Sequence, residues 1–246
     1  MKNFIAKSEA SKKILNIAQM SANLPVNVLI VGEIGVGKKL LAQEILRNCQ
    51  IFEAKVLEES IINRTIDMNE YSQIIVLNLE LVLNKKEFLS NLEGIKVVAT
   101  TQYQLSDIEV QFAIKIDIPP LIEREEDLQE LIYIYSSEAK NIYDIDIDEK
   151  NISIDLSKNG ISLKQSIYKS IFLKSLQDDD VMEGLESFLL KKLESNSDYR
   201  ELLKYFDIPL LRAAKTKYKS QLQMANNLHL NRITLRKKID LYIGDE

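Results

Sequence analysis

The stretch VLIVGEIGVGKKLLA, residues 28–42, decides the fold expected for this chain. An apolar, mostly β-branched run predicts a buried strand, a glycine-rich loop follows, and LLAQEILR returns to helical spacing. Gly32, Gly37 and Lys38 match the pattern G-x-x-x-x-G-K, whose backbone N–H groups curl around phosphate oxygens while the lysine reaches the terminal phosphates. Because a strand precedes the loop and a helix follows it, the stretch predicts a phosphate-binding loop. The alternative is a glycine turn with an unrelated lysine.

A nucleotide is the ligand that this loop predicts, either ATP or ADP, with or without Mg²⁺. The residues expected to hold it are Gly32, Glu33, Gly35, Val36, Gly37, Lys38 and Lys39.

The remaining pattern predicts an α/β protein with a parallel sheet and helices on both faces. Further apolar runs at residues 73–79, 95–101 and 113–118 alternate with helical stretches. After Pro119-Pro120 the pattern becomes helical. We therefore expect three parts: an α/β nucleotide-binding domain at 1–120, a small helical lid at 121–195 and an all-α domain at 196–246, with a linker near 194–200.

Charge is distributed unevenly along the chain. The formal net charge is −5, yet residues 210–246 carry eight Lys/Arg against three Asp/Glu, a net of +5, so the preceding residues carry −10. A basic end on an acidic body predicts a polyanionic partner for that end alone.

Other classes of site are disfavoured by composition. Cys49 and His229 are the only residues of their types, which leaves no disulfide and no zinc ligand set. The acidic run 144–149 lacks the glycine and spaced oxygens of a calcium loop, so no metal site is expected. No apolar run of about 18 residues and no signal-peptide core occur, which predicts a cytoplasmic protein without a membrane span.

Hydrolysis of the nucleotide is doubtful from the sequence. A P-loop ATPase presents a carboxylate at the end of a second strand to hold Mg²⁺. Here IIVLNLE places Asn78 and Leu79 at those positions, and Glu80 comes one residue late, where strand alternation predicts the opposite face. If hydrolysis occurs, Asn78, Glu80 and Gln102 are the candidate catalytic residues.

Three segments resemble the NtrC-like activators of sigma-54 RNA polymerase, which are AAA+ ATPases. They are VLIVGEIGVGKK, VVATTQYQL and IDIPPLIEREEDLQELI, and the resemblance covers roughly residues 4–130. It implies an AAA+ fold, ATP binding, a sensor I strand with Gln102 as its polar residue, and sigma-54 RNA polymerase as a partner.

The same resemblance implies a degenerate member. The GAFTGA loop that engages sigma-54 is missing, and no arginine lies between Thr101 and Pro119, where the family has its arginine fingers. The family's sensor II arginine corresponds to Ser162 in NGISLKQSI. No receiver domain is visible.

The basic end, residues 205–243, resembles a Fis-type helix-turn-helix, through SQLQMANNLHLNRITLRKKIDLYI. Leu222, Ala225 and Leu228 are expected to pack, as are Ile233, Leu235 and Ile239, and His229 stands where the family has a turn glycine. The alternative is a solvated basic helix. The residues expected to contact double-stranded DNA are Asn231, Arg232, Thr234, Arg236, Lys237 and Lys238.

The leading hypothesis is a transcription regulator that binds DNA as a homodimer or higher oligomer and whose AAA+ domain binds nucleotide without remodelling sigma-54. The apolar segment Glu201–Ala214 is the candidate pairing helix, and the alternative is that this helix packs within one chain. A second hypothesis is a slow ATPase that drives assembly or sigma-54 activation. A third is a modulator that co-assembles with a full-length activator or RNA polymerase.

Overall fold

The chain forms two compact units. The structure is a computed structural model that describes residues 3–145, 152–193 and 197–244. The first unit is Met1–Ser175 and the second is Leu176–Glu246. This boundary differs from the predicted one at 195/196, since residues 176–193 group with the C-terminal helices. Residues 194–196 of the predicted linker and residues 146–149 of the acidic run lie outside the described residues. Within the rest of the predicted linker, a short helix begins at Tyr199.

A parallel sheet of five strands lies at the centre of the first unit, which confirms the predicted α/β class. The strand order is β2-β3-β4-β1-β5, and every pair is parallel. The strands are β1 Val28–Val31, β2 Gln50–Glu53, β3 Gln73–Leu77, β4 Lys96–Thr101 and β5 Ile114–Asp117. Strand β2 was not predicted, because none of its four residues is buried and the segment does not read as an apolar run.

Helices cover both faces of this sheet. Alternate residues of β1 point to opposite sides, so that Leu29 and Val31 join one apolar core and Val28 and Ile30 the other. Because both faces are buried, the strands read as continuous apolar runs. The helices of this part are α1 Glu9–Ala22, α2 Lys38–Ile45, α3 Ala54–Ile62 and α4 Lys85–Ser90.

Two further helices belong to the described part of the first unit. They are α5 Glu125–Tyr143 and α6 Asn159–Ser175, which share a third apolar core. Tyr135, Leu163 and Ile167 are buried in it. This helical part follows the two prolines, as predicted, and we call it the lid.

The second unit is entirely helical in its described part. Its helices are α7 Asp178–Leu190, α8 Tyr199–Leu202, α9 Lys204–Lys217, α10 Gln221–Asn227 and α11 Arg232–Tyr242. Leu211, Met224, Leu235 and Ile239 from the last three helices form its core. Among the described residues, no helix is long and apolar enough to cross a membrane, and no group of three potential metal ligands occurs.

Candidate nucleotide site

The glycine loop leaves the sheet at the end of an interior strand. It connects β1, which lies between β4 and β5, to the start of α2, so it emerges among the carboxyl ends of neighbouring parallel strands. The Gly32 N–H donates to the carbonyl oxygen of Thr101 at 3.1 Å. A Cβ at Gly32 would lie 2.8 Å from the carbonyl oxygen of Ile118. Only glycine therefore lets the loop begin so close to both strands.

Two other loop glycines have backbone conformations that disfavour side chains. Gly35 has φ +81° and Gly37 has φ +106°. A Cβ at Gly35 would also lie 2.1 Å from the carbonyl oxygen of Lys158, which belongs to the lid. The glycine spacing seen in the sequence thus has a direct conformational cause.

Lys38 closes the loop from inside. Its ammonium donates to the carbonyl oxygens of Gly32 at 2.6 Å and Glu33 at 2.8 Å, and only 9% of the residue is exposed. Burial lowers the pKa of Lys38, while the negative charges of Glu80 and Glu33 oppose that change. The loop is therefore preorganised around a cation, as the sequence pattern predicts for phosphate binding.

A cavity of about 570 Å³ opens beside the loop, within the size range of ligand sites. Of the predicted residues, Asn78 and Gln102 line it, whereas Gly32, Glu33 and Glu80 do not. Its loop residues are Gly35, Val36, Gly37, Lys38 and Lys39. Its apolar lining comes from Phe4, Ile5, Leu121, Leu131, Tyr135 and Ile161, among others.

The end of β3 departs from the alternation assumed in the sequence analysis. The strand stops at Leu77, Asn78 adopts a left-handed conformation with φ 58° and ψ 49°, and a 3₁₀ turn follows at Leu79–Leu81. The opposite-face argument for Glu80 therefore does not apply. Both carboxylate oxygens of Glu80 are buried without a hydrogen-bond partner among the described residues, close enough to raise the pKa of Lys38.

Asn78 lines the cavity and has two polar neighbours. Its amide Nδ2 donates to a Glu53 carboxylate oxygen at 2.8 Å, and its backbone N–H donates to the Thr100 hydroxyl at 3.1 Å. These contacts fix the turn at which the chain leaves β3. Leu79, at the other expected carboxylate position, is fully buried in the core.

Asn159 joins the lid to the glycine loop, a role that sequence analysis missed. Its amide Nδ2 donates to a Glu33 carboxylate oxygen and to the Ile34 carbonyl oxygen, each at 3.0 Å, and its Oδ1 accepts from the Leu121 N–H at 2.6 Å. The next N–H, of Gly160, donates to the Gly35 carbonyl oxygen at 3.1 Å. Asn159 has φ +48°, which asparagine tolerates better than most residues. No sequence pattern indicates these contacts of Asn159, because its partners lie far away along the chain.

A second buried link is made by the ion pair of Arg124 and Asp127, whose charged atoms lie 3.2 Å apart and whose side chains are 3% and 0% exposed. Arg124 also donates to the Val36 carbonyl oxygen of the loop at 3.0 Å. Asp127 accepts from the N–H groups of Lys7 at 2.6 Å and Ser8 at 2.9 Å. The segment EREED therefore ties the chain start to the glycine loop.

Ser162, which the resemblance matches to the family's sensor II arginine, does not line the cavity. Its hydroxyl accepts from the Lys158 N–H at 2.8 Å and donates to the Asp155 carbonyl oxygen at 2.9 Å, so it stabilises the start of α6. Ile161 and Lys164 line the cavity from this helix instead. Lys164 lies 3.1 Å from Glu138.

The basic helix α11 matches the sequence expectation in part. Asn231 caps it by accepting from the Ile233 N–H at 2.8 Å. Ile233 itself is 68% exposed, so its predicted role as an anchor is wrong. Leu222 on α10 is likewise 47% exposed. His229 has φ +50° in the turn between α10 and α11, consistent with a position that favours glycine.

Among the six residues predicted to contact DNA, Lys238 differs from the others. Its ammonium pairs with the buried carboxylate of Asp207 on α9, and its side chain is 31% exposed. Arg236 is 78% exposed and lies 3.9 Å from Asp240. The exposed residues of this set are Asn231, Arg232, Thr234, Arg236 and Lys237.

Comparison with known proteins agrees with this architecture. Residues 4–65 match the family described as the sigma-54 interaction domain. The crystal structure of NtrX from Brucella abortus in complex with ADP is similar, with a TM-score of 0.58 and 14% identity over 99% of this chain and 69% of that chain. The ATP complex of the same protein gives a TM-score of 0.53 and 13% identity over 97% and 69%. No curated protein is significantly similar in sequence. Residues 4–65 thus resemble a sigma-54 interaction domain, and the chain shares its α/β fold with NtrX.

Proposed function

We propose that this protein is a DNA-binding transcription regulator whose AAA+ domain binds ATP or ADP and does not remodel sigma-54. Nucleotide binding is the first part of the proposal. The observation that carries it is the preorganised loop, in which the buried Lys38 ammonium lies beside a cavity of about 570 Å³. Backbone N–H groups at the start of α2 and a positive charge suit the terminal phosphates. NtrX, which shares this fold, has been crystallised with ADP and with ATP.

Loss of motor activity follows from what surrounds the phosphate loop. Asn78 and Leu79 replace the expected carboxylates, and Leu79 is fully buried. The segment 101–119 contains no arginine that a neighbouring subunit could use to stabilise the transferred phosphoryl group. The segment matched to the sigma-54 interaction domain contains no GAFTGA sequence. Nucleotide binding would then change the state of the domain without driving mechanical work.

DNA binding is the second part of the proposal, and the exposed basic side of α11 supports it. Arg232, Arg236 and Lys237 project from a helix whose other side packs on α9 and α10 through Leu235 and Ile239. The turn at His229 and the cap at Asn231 are consistent with a helix-turn-helix, whose second helix enters the major groove. Lys238, being paired with Asp207, would contribute less than its neighbours.

The nucleotide part is tested by titrating the purified protein with labelled ATP, beside a Lys38→Ala variant, while phosphate release is followed with Mg-ATP. Binding that is lost in the variant and produces no phosphate supports the proposal. Undiminished binding by the variant would show that the loop is not the site. Circular dichroism of the variant checks that its fold is retained.

The DNA part is tested with duplexes selected from a random pool. Arg232→Ala and Arg236→Ala should each weaken binding to the selected duplex by about 1–3 kcal/mol. Lys86→Ala, an exposed lysine of the first unit, serves as the matched control. Equal affinities for all variants would mean that α11 does not contact DNA.

A slow ATPase is the second candidate, and Glu80 specifically favours it. Although Glu80 does not line the cavity, its carboxylate oxygens are buried without a hydrogen-bond partner among the described residues, and its charge raises the pKa of Lys38. Phosphate release that requires Lys38 and disappears in Glu80→Gln would establish this activity. Phosphate release that is unchanged in Glu80→Gln would exclude Glu80 as a catalytic residue.

A further inference from the structure

Ile233 is an exposed apolar side chain on the basic side of α11. It is 68% exposed, whereas Leu235 and Ile239 of the same helix are buried in the core of the second unit. With about 3.6 residues per turn, Ile233 and Lys237 lie roughly opposite those two buried residues. The side of α11 that points away from its own core therefore carries an isoleucine as well as positive charge.

Cations surround this apolar side chain. Arg236 and Lys237 follow Ile233 by three and four residues, which makes them its neighbours on the helix surface. Both are exposed, as is Arg232 directly before it. The next exposed apolar side chain of the helix, Leu241, comes eight residues later, about 12 Å along the axis. Within α11, Ile233 is thus a single apolar group framed by positive charge, unlike the contiguous apolar patches that mark protein interfaces.

The start of α11 holds Ile233 in a defined position. Asn231 Oδ1 accepts from the Ile233 N–H at 2.8 Å, which fixes the backbone at the second residue of the helix. A β-branched side chain in a helix has one strongly preferred χ1 rotamer, so Ile233 would lose little conformational freedom on contact with a ligand. This end of the helix also carries the positive pole of the helix dipole, and the acidic Asp240 lies near the other end. The N-terminal end of α11 is therefore the end that suits a polyanion.

We propose that Ile233 contacts the C5-methyl group of a thymine in the major groove and makes thymine the preferred base at that position. The inference rests on the proposed function, because it requires α11 to enter the groove with its N-terminal residues at the base edges. Thymine presents a methyl group in the major groove, and apolar side chains recognise it there. The contact would remove from water an apolar surface that the free protein exposes. Arg232, Arg236 and Lys237 would contact phosphates or guanine edges beside it.

The composition of this side of α11 favours DNA over a membrane surface, which is also negatively charged. A helix that lies on a membrane inserts a continuous apolar side between the lipids. The apolar side of α11, with Leu235 and Ile239, is already buried against α9 and α10. Ile233 alone offers one side chain, which matches a single methyl group on a base edge.

Replacement of thymine by uracil tests this contact, because the two bases differ only in the C5-methyl group and pair with adenine in the same way. A duplex is first selected from a random pool with the full chain, and each dT of the selected site is then changed singly to dU. At one dT, the change should weaken binding by the natural chain about three- to fivefold, the effect expected when one methyl-sized group is no longer buried. Ile233→Ala should bind the dT and dU duplexes with equal affinity, since the side chain that contacts the methyl group is gone.

Two variants serve as controls. Leu241→Ala removes an apolar side chain of α11 that is 71% exposed, and it should retain the full difference between dT and dU. Ile233→Val keeps the β-branch and should retain most of that difference. Because Ile233 is exposed and alanine favours the helix, Ile233→Ala should have the circular dichroism spectrum of the natural chain.

The outcome is separable from that of the proposed function. A difference between dT and dU of the same size in Ile233→Ala and in the natural chain would overturn the inference, because another residue would then contact the methyl group. A selected site in which no dT responds to the change would overturn it as well. Either result leaves DNA binding intact, whereas failure of the full chain to enrich any sequence would refute the DNA part of the proposed function and this inference with it.

Discussion

The buried carboxylate of Asp127 offers a quantitative test of how the glycine loop is held. Replacing it with asparagine keeps the shape and the oxygen that accepts from Lys7 and Ser8. It removes the charge and the second oxygen, which accepts from Ser11 and from Arg124. Because breaking a buried ion pair leaves the other charge unpaired at a cost of about 3–5 kcal/mol, and half of the contacts survive, we expect Asp127→Asn to lower the free energy of unfolding by about 3 kcal/mol.

The same substitution should change the pH dependence of stability. Burial raises the pKa of Asp127, but hydrogen bonds from Ser11, Ser8 and Lys7 and the charge of Arg124 outweigh it, and the pKa lies below its ordinary value. The stabilisation is therefore fully present above the pKa of the unfolded chain, about 3.9, and is lost as the pH falls through the lower folded value. The difference between the natural chain and Asp127→Asn should shrink below about pH 4.

Urea unfolding followed by circular dichroism measures both effects, at pH 7 and at several lower values. Glu126→Gln is the matched control, an exposed acid in the same first turn of α5, whose loss should cost less than about 1 kcal/mol. A loss below about 1 kcal/mol for Asp127→Asn, or one that does not depend on pH, would refute the account of this ion pair. Weaker ATP binding by the same variant is also expected, since Arg124 contacts the loop at Val36.

Two further substitutions test close contacts within each unit. Gly35→Ala should destabilise the first unit by about 1–3 kcal/mol more than Gly94→Ala. Both residues have positive φ, but a Cβ at Gly35 would lie 2.1 Å from the Lys158 carbonyl oxygen, whereas a Cβ at Gly94 would have no atom within 4 Å. Equal losses of stability in thermal unfolding would contradict this prediction. Lys238→Met should lower the stability of the second unit by about 1–3 kcal/mol, because it leaves the carboxylate of Asp207 unpaired, whereas Lys237→Met should change stability by less than about 0.5 kcal/mol and weaken DNA binding instead. A DNA-binding defect in Lys238→Met but not in Lys237→Met would refute the assignment of DNA contact to Lys237 and of stabilisation to Lys238.

Local patterns in the sequence were sufficient for the α/β class and for the conformation of the glycine loop. The apolar runs identify four of the five strands, because a strand buried on both faces reads as a continuous apolar segment. The loop could also be predicted from the sequence, because the φ angles of Gly35 and Gly37 favour glycine and Lys38 follows them at the start of α2. Strand β2 escaped notice because its residues are only partly buried.

Contacts between segments distant in the chain were decided only by the tertiary structure. Asn159 meets the loop across 125 residues, and Arg124 meets it across 88, and neither contact leaves a periodic trace in the sequence. The orientation of Glu80 could not be predicted from alternation, because that rule holds only while a strand continues, and β3 ends at Leu77 before the left-handed Asn78. The environment of Lys238 on α11 was likewise not predictable from local spacing. Helical spacing predicts an exposed lysine there, and a buried aspartate on another helix determines where its charge lies.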